Sequence, residues 1–246
     1  MALKASPDQQ ALLLDLQTLD TRLQQLAHRS KALPEHAALN ALLTEADALR
    51  RRLADESGEA EDAQSELARV ESDVAVVEAR ITRDTDRVQH SSSVKDVNAL
   101  EQELEALRRR RSDLEDIELQ VMERLEGLQS TVDGTKAELA VLNTRIAAVT
   151  AERDAALASL ESERSHASAN RSTIASKVPA DLLALYEKQR DRYGWGASHL
   201  RGGVSSASGV RLNESDMAVV RASAPDDVVL CPDSNAILVR TNESGL

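Results

Sequence analysis

From Glu35 to Val178 the chain contains no proline, and along that span apolar residues recur at alternating spacings of three and four. A run of this kind reads as continuous helix whose apolar seam needs a partner, because a 3.5-residue period keeps one stripe facing a neighbour along its whole length. The seam runs through Leu39, Leu42, Ala46, Leu49, Leu53, Ala60, Ala63, Leu67, Val70, Val74, Val77, Ile81 and Val88, missing only at Glu56 and Asp84. An earlier segment carries the same spacing in Leu12, Leu16, Leu19, Leu23 and Leu26, before Leu33-Pro34 interrupts it. Proline fits the first turn of a helix and not its interior, so a kink or short break is predicted near residue 34.

His90-Ser91-Ser92-Ser93 then breaks the pattern, and Ser93 followed by Asp96 three residues later is a capping signal for a new helix. Past it the seam resumes at Leu100, Leu104, Leu107, Leu114, Val121, Leu125, Leu128, Val132, Leu139, Leu142, Ile146, Val149 and Leu160, with Arg111, Glu118 and Arg153 as polar interruptions. Two long helices joined by a tight turn fold back antiparallel on each other. The expected fold is therefore mainly α: an antiparallel coiled-coil helical hairpin over 1–178, with its turn near 90–93, followed by a small C-terminal β module over 179–246. Gly58 and Gly127 fall at nearly the same level of such a hairpin, either as two tolerated glycines or as one shared bend.

Composition supports a coiled coil over an ordinary globular core. Phenylalanine is absent and the only aromatics are Tyr186, Tyr193 and Trp195, so residues 1–185 must bury aliphatic side chains instead. The net charge of −12 argues against phosphate binding along the whole molecule. One cysteine, Cys231, excludes an intramolecular disulfide framework and fits a reducing compartment. No signal-peptide-like segment and no apolar run of membrane-spanning length is present. These features point to the cytoplasm and to no membrane partner.

After Ala167 the character changes. Pro179 opens a short helix over about 180–192, which Gly194-Trp195-Gly196 ends. Residues 228–231 and 236–241 read as two short strands around a Cys-Pro-Asp-Ser-Asn turn. A module this small usually needs a metal or a docking surface, and Trp195 and Tyr193 are the aromatics expected to pack it against the base of the hairpin.

The tail resembles the bacterial C4-type zinc-ribbon family, whose members join a coiled-coil hairpin to a C-terminal zinc ribbon. That pattern, Leu-x-Gly-x-x-Cys-x-x-Cys and later Cys-x-x-Cys-x-x-Ile-Leu-Val-Arg, aligns with Leu200 to Ser208 and with Cys231 to Arg240. Leu16 to Asp20 and the closing Glu243-Ser244-Gly245-Leu246 are also similar. Ser205, Ser208 and Ser234 stand where the family has cysteines, leaving only Cys231, so the zinc positions are degenerate and neither a metal nor any other cofactor is expected. The resemblance implies nucleic-acid contact, with some members linked to transcription factors or messenger RNA.

The chemistry-bearing residues do not assemble into an enzyme signature. The five histidines (28, 36, 90, 166, 199) are scattered, and no Gly-rich phosphate loop, Gly-x-Ser-x-Gly elbow or His-Glu-x-x-His occurs. A two-helix stalk has no concave pocket for a small-molecule substrate. The leading reading is a non-enzymatic coiled-coil adaptor or scaffold with a protein partner, in transcription or RNA regulation, engaged at the tip through Ser91, Ser92, Ser93, Lys95 and Asn98. The alternative is a nucleic-acid-binding protein acting through Lys188, Arg190, Arg192, Arg201 and Arg211, since residues 177–212 are net basic while 213–246 are net acidic.

Overall fold

The computed structural model describes residues 3–246, which form five helices and four strands. Helix α1 is Pro7–Lys31, α2 Pro34–His90, α3 Val94–Ala175 and α4 Ala180–Tyr193; β1 (Ala197–Arg201), β2 (Val204–Ser205), α5 (Glu214–Ala222), β3 (Val229–Leu230) and β4 (Ile237–Val239) follow. These divide into two compact units, one of Met1–Pro34 with Glu152–Leu246 and one of Glu35–Ala151. The division falls at 34/35 and 151/152 instead of at 178/179, and α1 and the last turn of α3 share one apolar cluster with α4 and the sheet through Leu13, Leu16, Ile174 and Ala175.

The hairpin unit follows from the seam. Leu42 and Ala46 of α2 pack with Leu142 of α3, and Ala63 and Leu67 pack with Val121 and Leu125. Each buried leucine contributes roughly 2 kcal/mol by removal from water, and the interface repeats along both helices. Cross-helix ion pairs Arg80–Glu103, Arg124–Glu66 and Arg52–Glu138 report the antiparallel register, since one residue number falls as the other rises. The polar seam position Asp84 is buried and held by Arg87, whose Nη1 lies 3.1 Å from Oδ1. At the turn, Ser93 caps α3: its hydroxyl accepts from the Asp96 amide at 3.4 Å, and its carbonyl accepts from Val97 at 3.0 Å. Both long helices continue unbroken through Gly58 and Gly127.

The other unit is a four-stranded sheet of order β2-β1-β4-β3, with α1 and α4 on one face and α5 on the other. Strands β1 and β4 are parallel, pairing Ala197 with Ile237 and His199 with Val239, while β2 and β3 join antiparallel at the edges. Alternation along a strand sends successive side chains to opposite faces. Ala197, Ile237 and Val239 therefore meet Leu13, Leu16, Leu182 and Tyr186, whereas Leu200 and Leu238 meet Leu212, Met217, Val220 and Cys231. The N-terminal segment pairs with the residues that lead into β3, with Ala5 N–H bonded to the Asp226 carbonyl at 2.8 Å and Val228 N–H to the Leu3 carbonyl at 3.0 Å. Ser6 and Gln9 then form a capping box that starts α1.

Strand β1, strand β2 and helix α5 are additional to the sequence expectation, and the aromatic anchor differs from it. Tyr186 is fully buried between α1 and the sheet, while Tyr193 is 40% exposed and Trp195 half-buried. The reason is geometric: Gly194 adopts φ 82°, caps α4 and turns the chain, and Gly196 lies against the Tyr186 ring in space that any Cβ would occupy.

A Cβ at Gly58 or Gly127 would meet nothing within 4 Å, and neither has positive φ. Gly58→Ala and Gly127→Ala should therefore each stabilise the hairpin by about 1 kcal/mol, read as a raised urea midpoint followed by helical circular dichroism. An unchanged or lowered midpoint would show that flexibility or close approach at these positions matters to the fold.

Candidate functional site

The two segments that the zinc-ribbon resemblance marks, 205–208 and 231–234, fold into congruent turns. In the first, Gly209 N–H bonds the Ser205 carbonyl at 2.8 Å; in the second, Asn235 N–H bonds the Cys231 carbonyl at 2.9 Å. Each turn closes on a residue of positive φ, 67° at Gly209 and 57° at Asn235. In each, the hydroxyl of the fourth residue accepts an amide two positions on: Ser208 from Val210 at 3.2 Å and Ser234 from Ala236 at 3.4 Å. The backbone is thus the same at both turns, although the side chains are three hydroxyls and one thiol.

The turns meet in the interior of the module. Ser205 and Cys231 are both buried, with Cys231 Sγ 3.5 Å from Ser205 Oγ, and Ser205 Oγ lies 2.7 Å from Ser198 Oγ. Burial pushes the Cys231 thiol up, but hydrogen bonds from Ser205 and Ser234, aided by the backbone at Ser234 and Asp233, outweigh it and leave the thiol below its ordinary value. Structural zinc takes four thiolate or imidazole ligands, and hydroxyls that stay protonated at neutral pH do not supply them. The donor set does not fit the metal that the family resemblance implies. Among the described residues, no group of three or more His, Cys, Asp or Glu side chains is arranged to hold a metal ion.

A second polar cluster lies within the same unit, and the sequence reading did not single out its members together. Asp20 of α1 accepts from Arg171 Nε of α3 at 2.6 Å, from the Tyr186 hydroxyl of α4 at 2.7 Å and from Arg190 Nη1 at 3.2 Å. Glu187 joins both guanidinium groups, at 2.6 Å to Arg171 and 2.8 Å to Arg190. Burial pushes the Asp20 carboxyl up, but the bonds from Arg171 and Tyr186 and the two positive charges outweigh it and hold it below the ordinary carboxylate value. Burial and Asp20 likewise push the Tyr186 phenol up. One turn earlier, Gln17 Oε1 accepts the Gly196 amide at 2.8 Å and the Ala197 amide at 3.2 Å, tying α1 to the start of β1. The available signal was Leu16 to Asp20, where a glutamine and an aspartate stand on the face that carries Leu13 and Leu16.

The five basic residues expected to face phosphate do not form one free patch. Arg190 is committed to Asp20, Glu187 and Asp191, and Arg201 to Glu243 at 2.7 Å. Arg192 lies over the Tyr193 ring, 5.3 Å from its centroid, and Arg211 donates to the Gly202 carbonyl at 3.2 Å. Lys188 is exposed on α4. The tip residues, in contrast, are brought together by the turn between α2 and α3. Ser93 caps α3 and the Ser91 hydroxyl accepts the Ser93 amide at 3.4 Å, while Ser92, Lys95 and Asn98 face solvent and Val94 is 77% exposed. The tail unit also has an open groove of about 450 Å³, lined in part by Trp195, His199, Thr21 and Arg22, which the expectation of a pocket-free stalk did not include. No helix among the described residues is long and apolar enough to cross a membrane.

Residues 16–194 match the CT398-like coiled coil hairpin domain family, so the match ends at the glycine that caps α4. An uncharacterized protein of Mycobacterium tuberculosis is 35% identical over 239 residues, covering 97% of this chain and 98% of its own. One from Mycobacterium leprae is 27% identical over 223 residues, covering 89% and 95%. A solved structure from Mycobacterium smegmatis superposes with a TM-score of 0.86 at 35% identity, covering 97% of this chain and all of that one. The structure of CT398 from Chlamydia trachomatis shares the fold at a TM-score of 0.65 and 19% identity, over 94% and 97% of the two chains.

Two outcomes test these sites. Asp20→Asn should destabilise the tail unit by about 2–3 kcal/mol, less than for a fully buried pair because both arginines are partly solvated. The stability that the Asp20 carboxylate contributes is complete above its ordinary value of 3.8 and is lost as pH falls through its own lower value. Urea midpoints measured from neutral pH into acid should therefore fall more steeply for the wild type than for Asp20→Asn. Separately, the combined Ser205→Cys, Ser208→Cys and Ser234→Cys variant should retain one zinc per chain through dialysis against chelator-free buffer, while the wild type retains none. Elemental analysis distinguishes the two, and zinc at one per wild-type chain would overturn the reading of the donor set.

Proposed function

Because the chain belongs to the family of CT398-like coiled coil hairpin domains, we propose that it is a non-enzymatic adaptor that holds a protein partner at the tip of its hairpin. The observation that carries this reading is Val94, the first residue of α3, an apolar side chain left 77% exposed beside a turn in which the Ser91 and Ser93 hydroxyls accept the Ser93 and Asp96 amides. Around it Ser92, Lys95 and Asn98 offer polar contacts, so the tip combines a small apolar centre with a polar rim, the composition of a compact recognition surface. Two long packed helices hold that turn, which limits the ordering cost of binding.

The nucleic-acid alternative is supported by Lys188, Arg192 and Arg211 alone, since Arg190 and Arg201 already neutralise carboxylates. Three partly engaged cations would give a shallow salt dependence, because each released counterion contributes about one unit of slope.

A photo-crosslinking side chain placed at Ser92 should trap a discrete protein in the source cells, and Val94→Asp with Lys95→Glu should abolish that adduct without changing helicity. Tight binding of single-stranded RNA or duplex DNA by the wild type, lost on replacing Lys188, Arg192 and Arg211 with alanine, would favour the alternative instead.

A further inference from the structure

One face of the hairpin unit carries an open apolar groove of about 650 Å³ between α2 and α3. Its floor is Leu49 and Leu142, with the small side chains Ala48 and Ala137 beside them and Val141, 64% exposed, at its centre. Its corners are charged: Glu45 and Arg52 on α2, Glu138 and Arg145 on α3. From this face we infer that the hairpin docks a second copy of the same chain.

The charge order selects that occupant. Each helix reads acid, apolar, base at spacings of three and four: Glu45, Ala48, Arg52 and Glu138, Val141, Arg145. That spacing places all three on one side of their helix. Since the helices are antiparallel, Arg52 lies beside Glu138, 3.5 Å apart, and Glu45 is level with Arg145. The pattern is its own complement. A second copy related by a two-fold axis, running either along or across the helices, sets an acid against a base at all four corners, as an isologous interface requires. Among the described residues, Glu45 and Arg145 have no ion-pair partner within the chain, so they are available for such pairing. Ala48 and Ala137 permit the backbone approach of about 8–10 Å at which helices interlock, and Val141 loses its exposed surface to the partner. Charged pairs flanking an apolar strip are also what sets partner choice and orientation in helical assemblies. The inference is independent of the tip and of any partner held there.

The test is mass in solution. By sedimentation equilibrium the wild type should rise from 26.7 kDa toward twice that value as its concentration increases through the micromolar range. Glu45→Arg with Glu138→Arg makes every corner basic, and Arg52→Glu with Arg145→Glu makes every corner acidic; the second variant also carries Glu56→Gln, because Arg52 otherwise neutralises Glu56 at 2.7 Å within α2. Each of these variants alone should stay at the monomer mass with unchanged far-ultraviolet helicity, and an equimolar mixture of the two should recover the dimer. A wild type that remains monomeric throughout that range overturns the inference whatever the variants do. So does self-association of either folded variant at wild-type strength, or failure of the folded pair to associate with each other.

Discussion

The tail unit depends on one buried carboxylate. Asp20 stands on α1, and its partners come from two other helices: Arg171 from the last turns of α3, Tyr186 and Arg190 from α4. A charge at that depth is tolerated only when every lone pair is satisfied and opposite charge is close. Asp20 therefore demands that the three helices converge in one arrangement. Glu187 completes the balance by neutralising the second guanidinium. Gln17, on the same face of α1, then fixes where β1 begins by accepting the amides of Gly196 and Ala197. The apolar contacts of Leu13 and Leu16 with Ile237 and Val239 supply most of the driving force, but they are less directional. The polar contacts decide which of several similar packings is adopted.

The module achieves in its second core what a metal achieves in small ribbons of similar size. Two turns of matching backbone bring Ser205 and Cys231 together beneath Leu200, Leu212 and Leu238. There a thiol and hydroxyls bond one another in place of four ligands on one ion. Such a cluster contributes less than a coordinated metal, and the difference is offset by area. Helix α5 covers one face of the sheet with Met217 and Val220, α1 covers the other, and residues 3–5 bond the segment that leads into β3. Arg240 adds a further clamp, donating to the carbonyls of Ser223, Ala224 and Asp227 at 2.7–3.0 Å. A sheet of two- to five-residue strands is marginal alone, and it is stable here because helices cover both faces.

In the hairpin unit stability is spread thinly over a long interface. The apolar seam is interrupted at Glu56, Asp84 and Arg111, and each is met by charges of opposite sign: Arg52 for Glu56, Arg87 for Asp84, Glu115 for Arg111. Those partners lie on the same helix and move with it, so the register is opposed to sliding by the cross-helix pairs Arg80–Glu103, Arg124–Glu66 and Arg52–Glu138, which a shift of one heptad would separate. The same logic leaves the turn free of structural duty beyond its caps, so that Ser92, Val94 and Lys95 face outward.

Most of the hairpin was readable from spacing alone. Every apolar seam residue named from Leu39 to Val88 and from Leu100 to Leu160 is buried or half-buried, and so are the interruptions at Glu56, Asp84, Arg111, Glu118 and Arg153. Pro34 opens α2 and Ser93 opens α3 as their local chemistry requires. These features rest on interactions within a few residues or on a period repeated many times, which is why a linear reading captures them. The tail was readable only where a motif or an apolar run marked it. Nothing local in Asp20, Arg171 and Arg190 indicates that they meet, because Asp20 is 151 and 170 residues from the two arginines and joined to them only by packing. For the same reason Arg190 and Arg201 read as free cations although they are paired, and Tyr193 read as an anchor although Tyr186 fills that place. Periodicity determined the hairpin, and convergence of distant segments determined the tail unit and which charged groups remain available to a partner.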